Sequence, residues 1–260
     1  MSSSLRVCIL GGPDAGGGST VAAVLNFIRL GFVTNTEIAC VITTSIHAGV
    51  LKKAKIRGLT NEQLHALPRD RYPRDADVDA AILSICERHR ANAIWQSGWL
   101  RRTGKPVIKK FAGRIWNQHP GALNPNSMLY SGHRMDFGGK GMHGIVPVAA
   151  ALYYARTSKT PSAQYARATA HMLTEHEEDI DGGKVIGERL VPIRAHDTPE
   201  ELQGRLKPVE QFLHANMMAH LASYGSFFHF PPAPIVTCPE DAGHLKAARI
   251  RAIETYGSKK

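Results

Sequence analysis

Residues 5–30 constrain the fold most. Leu5-Arg6-Val7-Cys8-Ile9-Leu10 is an apolar run of strand length, and Gly11 to Thr20 is a glycine-rich turn. From Val21 to Leu30 apolar residues recur at helical spacing, with Ser19 or Thr20 as the expected N-cap. A buried strand, a glycine turn and a helix begin a nucleotide-type α/β unit. The pattern then repeats. Strands are expected at 37–43, 93–96, 114–116, 164–173 and 184–193, and helices at 48–56, 76–89, 105–111, 146–156 and 198–224. Such alternation predicts an α/β fold, Rossmann-like, with a mainly parallel twisted sheet and helices on both faces. We place a catalytic domain at 1–225 and a C-terminal appendage with a basic helix at 226–260.

The glycine turn limits the ligand. The dinucleotide fingerprint needs glycines at relative positions one, three and six, and no register in 11–20 supplies them. A phosphate-loop pattern nearly fits from Gly12 to Gly17, but Gly18 occupies the lysine position before Ser19. Backbone N–H groups of Gly16, Gly17 and Gly18 and the hydroxyls of Ser19 and Thr20 could still bind one phosphate at the helix N-terminus. A turn without a ligand is the competing reading. The formal net charge of +10 asks for an anionic partner. The basic residues are scattered and carry no nucleic-acid motif, so a phosphorylated or polycarboxylated small molecule is expected ahead of nucleic acid, with a solvated basic surface as the competing reading. No run reaches the ~18 apolar residues of a membrane span. Cys8, Cys40, Cys86 and Cys238 form no CxxC pair, which fits a reducing cytoplasm and no metal.

Two further stretches carry chemistry. Asn117-Gln118-His119-Pro120 follows a short strand. Residues two apart on a strand share a face, so an amide and an imidazole stand side by side at its end. An amide can donate to an oxyanion, and an imidazole can carry a proton. Later, Glu175 to Gly183 is an acidic stretch ending in Asp181-Gly182-Gly183, where the glycines permit a tight turn that fixes the carboxylate.

Together, Asn-x-His-Pro and Asp-Gly-Gly resemble the signatures of the folate-dependent formyltransferases. The likeness runs from residue 5 to about 220 and is greatest to the branch that formylates glycinamide ribonucleotide in purine biosynthesis. It implies transfer of a formyl group from 10-formyltetrahydrofolate to a primary amine without a metal. Asn117, His119 and Asp181 would be catalytic, with His171 and His143 as supporting imidazoles. Glu210 would lie on the substrate side with the glycine turn. Trp99, Leu100, Arg101, Glu178, Asp179 and Ile180 are candidate walls for the folate. The chain departs from the family at His119-Pro120-Gly121-Ala122 and in an apparent insertion at 126–143. Formyl transfer to a sugar nucleotide or another amine, formyltetrahydrofolate hydrolysis, and a non-catalytic nucleotide- or nucleic-acid-binding role remain alternatives. Methionyl-tRNA formyltransferase would be expected to continue into a further domain after the long helix.

Overall fold

A computed structural model of the chain describes residues 4–124, 134–175 and 180–257. Its strands are β1 (Leu5–Gly11), β2 (Thr36–Thr43), β3 (Leu64–Ala66), β4 (Ala93–Ser97), β5 (Ile115–His119), β6 (Tyr165–Met172) and β7 (Val185–Pro192). They form one seven-stranded sheet in the order β3-β2-β1-β4-β5-β6-β7. β1 pairs in parallel with both β2 and β4, and β2–β3 and β4–β5 are also parallel. β6 and β7 pair antiparallel. The order 3-2-1-4-5 is that of a doubly wound α/β sheet. All five residues of β4 are buried, as in a parallel strand covered on both faces.

The helices are α1 (Ser19–Arg29), α2 (Gly49–Ile56), α3 (Asp75–Arg88), α4 (Lys105–Lys110), α5 (Val146–Ala155), α6 (Pro199–Tyr224) and α7 (Pro239–Tyr256). Along α3, Val78, Ile82, Ile85 and Cys86 recur at intervals of three and four and are buried. At the start of α6 the Thr198 N–H donates to Glu201 Oε2 (2.9 Å) and the Glu201 N–H to Thr198 Oγ (3.2 Å). This is a capping box. No helix among the described residues is long and apolar enough to cross a membrane.

The residues group into two compact units, and the division falls inside β5. The first unit holds 1–118, 172–177 and 214–227; the second holds 119–171, 178–213 and 228–260. In the first, Cys8, Leu10, Ile42, Val78, Ile82 and Ile94 form a core. The buried rings of Trp95 and Trp116 stack in the same unit with centroids 6.5 Å apart. In the second, α5 is buried almost all round, and α7 packs along it.

Two expectations change here. Gly18, at a φ of 84°, is the N-cap of α1, so Ser19 and Thr20 lie in its first turn. The short β3, absent from the sequence reading, adds an edge to the sheet. The segment from 226, expected as an appendage, contributes to the second unit. Ile235, Val236, Leu245 and Ala252 are buried in the second unit's core, and the Tyr154 hydroxyl donates to Ile235 O (2.7 Å). Removing apolar surface from water drives this packing, and the Ala-rich faces of α5 and α7 permit close approach.

Candidate active site

β5 carries the first group of candidates. Gln118 points away from its neighbours on the strand, and the Ser97 hydroxyl donates to its Oε1 (3.0 Å). Asn117, half-buried, stands opposite Gln96 of β4. His119 is buried, and its Nε2–H donates to Phe137 O at 2.7 Å. A carbonyl only accepts, so the proton sits on Nε2 and the Nδ1 lone pair is left for other use. Nδ1 lies 3.7 Å from Oδ2 of Asp181. The other carboxylate oxygen, Oδ1, lies 3.4 Å from His171 Nε2. His171 enters where the β6–β7 register shifts. In the second unit, therefore, one carboxylate stands between two imidazoles.

The backbone fixes that carboxylate. Asp181 itself has a φ of 63°, in the left-handed region. Such a conformation is uncommon outside glycine, and aspartate tolerates it better than most residues. The Gly139 N–H donates to Asp181 Oδ2 (3.0 Å). Burial pushes the Asp181 carboxyl up, but His119, His171 and the Gly139 N–H outweigh it and hold the group well below the usual carboxylate range. Burial pushes the His119 imidazole down, against the pull of Asp181. A neutral imidazole beside a fixed anion can accept a proton and become the cation of an ion pair.

In the first unit the glycine loop is tightly built. The N–H groups of Gly17 and Gly49 both donate to Asp14 O, each at 2.9 Å. Lys53, on α2, donates through Nζ to Gly16 O (2.6 Å) and Gly17 O (2.5 Å). A Cβ on Gly49 would stand 2.1 Å from Ala15 O, and one on Gly18 would stand 2.5 Å from Val50 Cα. Gly17 thus uses its N–H within the loop. Lys53 supplies the cation that the loop sequence lacked.

A family model described as formyl transferase matches residues 14–217. The chain belongs to the formyl transferase family. Among curated formyltransferases, the chloroplastic phosphoribosylglycinamide formyltransferase of Arabidopsis thaliana is 26% identical over 205 residues, 78% of this chain and 62% of that protein. The phosphoribosylglycinamide formyltransferase of Mycobacterium tuberculosis is 30% identical over 156 residues, 60% of each chain. The chain thus spans about three-fifths of the length of each of these two relatives. The crystal structure of glycinamide ribonucleotide transformylase 1 from Symbiobacterium toebii shares the fold, with a TM-score of 0.66 and 22% identity over 86% of this chain and 90% of that one. A formyltetrahydrofolate deformylase from Pseudomonas syringae pv. tomato shares it too, with a TM-score of 0.65 and 16% identity over 90% and 67%.

The remaining candidates are placed unevenly. Trp99 is buried in the first unit's core. Leu100 is 57% exposed in the same unit. Arg101 is committed to Asp75 Oδ1 (2.7 Å) and Tyr72 O (2.7 Å), so its guanidinium braces a loop. Ile180 is 40% exposed in the second unit; Glu178 and Asp179 lie outside the described residues. Of the 126–143 stretch, residues 126–133 lie outside them as well. His143 is exposed, and Glu210 is buried on α6. Sequence reasoning missed Lys53, Arg134, Asp136 and Arg249. Each acts across a long sequence separation, and none falls in a motif.

Proposed function

We propose that this chain transfers a formyl group from 10-formyltetrahydrofolate to the primary amine of glycinamide ribonucleotide, a step of purine biosynthesis. The observation that carries the reading is the Asp181 carboxylate between His119 and His171, at the family's two motif positions. The names of the plant and bacterial relatives support the acceptor.

Formyl transfer to an amine asks three things of the protein: removal of a proton from the amine nitrogen, stabilisation of negative charge on the formyl oxygen, and exclusion of water. His119 Nδ1, the nitrogen not engaged by Phe137, takes the proton. Asp181 then holds the imidazolium by charge, which makes proton uptake easier as the new C–N bond forms. Asn117, two residues earlier on the same strand, donates its amide to the oxygen. The folate supplies the formyl group and leaves with the proton at its amine. The positive charge of the chain suits the folate's glutamyl carboxylates. The glycine loop, with Lys53 at its carbonyls, is read as the seat of the acceptor's phosphate. The cytoplasm is the setting this reading expects.

The test is product analysis. The protein is incubated with 10-formyltetrahydrofolate alone and then with glycinamide ribonucleotide. Formylated amine, formed in step with tetrahydrofolate, supports the reading. Formate released equally with and without the amine would make the chain a hydrolase.

A further inference from the structure

The second unit contains a cluster outside both family motifs. Segment 134–139 touches each partner of the His119–Asp181 pair: Phe137 O accepts from His119, and the Gly139 N–H donates to Asp181. Arg134 reaches the backbone on either side of the same carboxylate. Its Nη1 donates to Ile180 O (2.6 Å) and its Nη2 to Asp181 O (2.7 Å). Its Nε donates to Asp136 Oδ1 (2.5 Å). Asp136 is fully buried and accepts two backbone N–H bonds, from Gly138 (3.0 Å) and Asn124 (2.8 Å). From α7, Arg249 closes the set. Its Nη1 donates to Asp136 O and its Nη2 to Gly138 O (3.0 Å).

These bonds have one geometric effect. Two consecutive carbonyls, of residues 180 and 181, are held by one planar guanidinium, whose fork fixes both distances and direction. That guanidinium is anchored on a buried carboxylate, and the carboxylate's backbone is anchored on a second arginine from the C-terminal helix. The Asp181 backbone is thereby kept at its unusual φ, with Oδ2 turned to His119 Nδ1. We propose that Arg134, braced by Asp136 and by Arg249 of α7, is a positioning residue that fixes the Asp181 carboxylate against His119. Its Nε, Nη1 and Nη2 each donate to protein atoms, and its effect on the reaction passes through Asp181. The proposal rests on the formyl-transfer reading and assigns a role to the C-terminal helix.

The test measures tetrahydrofolate release from 10-formyltetrahydrofolate with glycinamide ribonucleotide. Wild-type activity is established first, and its absence would refute the function itself rather than this proposal. Arg134→Gln and Arg249→Gln are then made in the wild-type and in the Asp181→Asn background. In the wild-type background each should lower kcat, Arg134→Gln by at least ~10-fold, with KM for both substrates within ~3-fold. In the Asp181→Asn background neither should lower kcat further, because the group they position has lost its charge. Arg134→Lys, which keeps charge and part of the hydrogen bonding, should fall between wild type and Arg134→Gln. It stands in if the glutamine variant does not fold. Wild-type kcat in either single variant, or the same fold-loss in both backgrounds, overturns the proposal. Equal losses would mean that the arginines only hold the unit together.

Discussion

Leu245 on α7 is 1% exposed and lies in the second unit's core, whereas Ile250 on the same helix is 48% exposed. Leu245→Ala removes three buried carbons and leaves a cavity, at a cost of ~2–5 kcal/mol for leucine-to-alanine changes in cores. Surroundings that already contain many alanines have few long side chains able to fill the gap, which favours the upper half of that range. Whole domains are stable by only ~5–15 kcal/mol, so the loss is a large fraction of the total. With a urea slope of ~2–3 kcal/mol/M, the midpoint should fall by ~1–2 M. Ile250→Ala is the control. Alanine is a slightly better helix former, so the midpoint should stay or rise a little. The assay is urea unfolding followed by circular dichroism. If Leu245→Ala lies within ~0.5 kcal/mol of wild type, the value typical of surface substitutions, the C-terminal helix is not part of the core.

Two other outcomes follow from single contacts. Arg205 donates to both oxygens of Asp197 (2.5 and 2.6 Å), and this pair is the main cause holding the carboxyl at about 2 in the folded chain. Its stabilisation is present above the unfolded value of 3.8 and lost as pH falls through about 2, so the melting-temperature gap between wild type and Asp197→Asn should be widest near neutrality and narrower at pH 3; a gap of constant width would contradict the pairing. Lys53→Met removes the cation at the glycine loop and should raise KM for a phosphorylated acceptor ~10-fold without raising it for the dephosphorylated analogue; equal effects on both would remove the phosphate from the loop.

Local signals in the sequence predicted most of the sheet and the motif positions. The run at Leu5–Leu10 and the period of α3 name their own elements because each buries its apolar residues against the sheet. Asn117 and His119 could be paired from strand alternation alone. The meeting of His119, His171 and Asp181 could not, because it depends on the left-handed Asp181 and on its contacts with residues 134–139. β3 was missed because its three residues are only half-buried and give no run to read. The C-terminal helix looked peripheral because alanines occupy several of its buried positions, Ala242, Ala248 and Ala252, and alanine hardly raises an amphipathic pattern. Lys53 and Arg134 were invisible for a different reason. The carbonyls they bind lie 36–37 and 46–47 residues away, and a backbone carbonyl leaves no mark in the sequence.

The central claim is that Asp181 and His119 drive formyl transfer to an amine. It is tested most directly by comparing kcat for glycinamide ribonucleotide formylation in wild type and Asp181→Asn, with folate affinity measured in both by fluorescence or calorimetry. The asparagine keeps the side-chain shape but cannot hold an imidazolium by charge. The account predicts a kcat at least ~100-fold lower, the size expected for loss of general acid–base support, with folate affinity changed by less than ~3-fold. Turnover in Asp181→Asn within ~3-fold of wild type would contradict the mechanism.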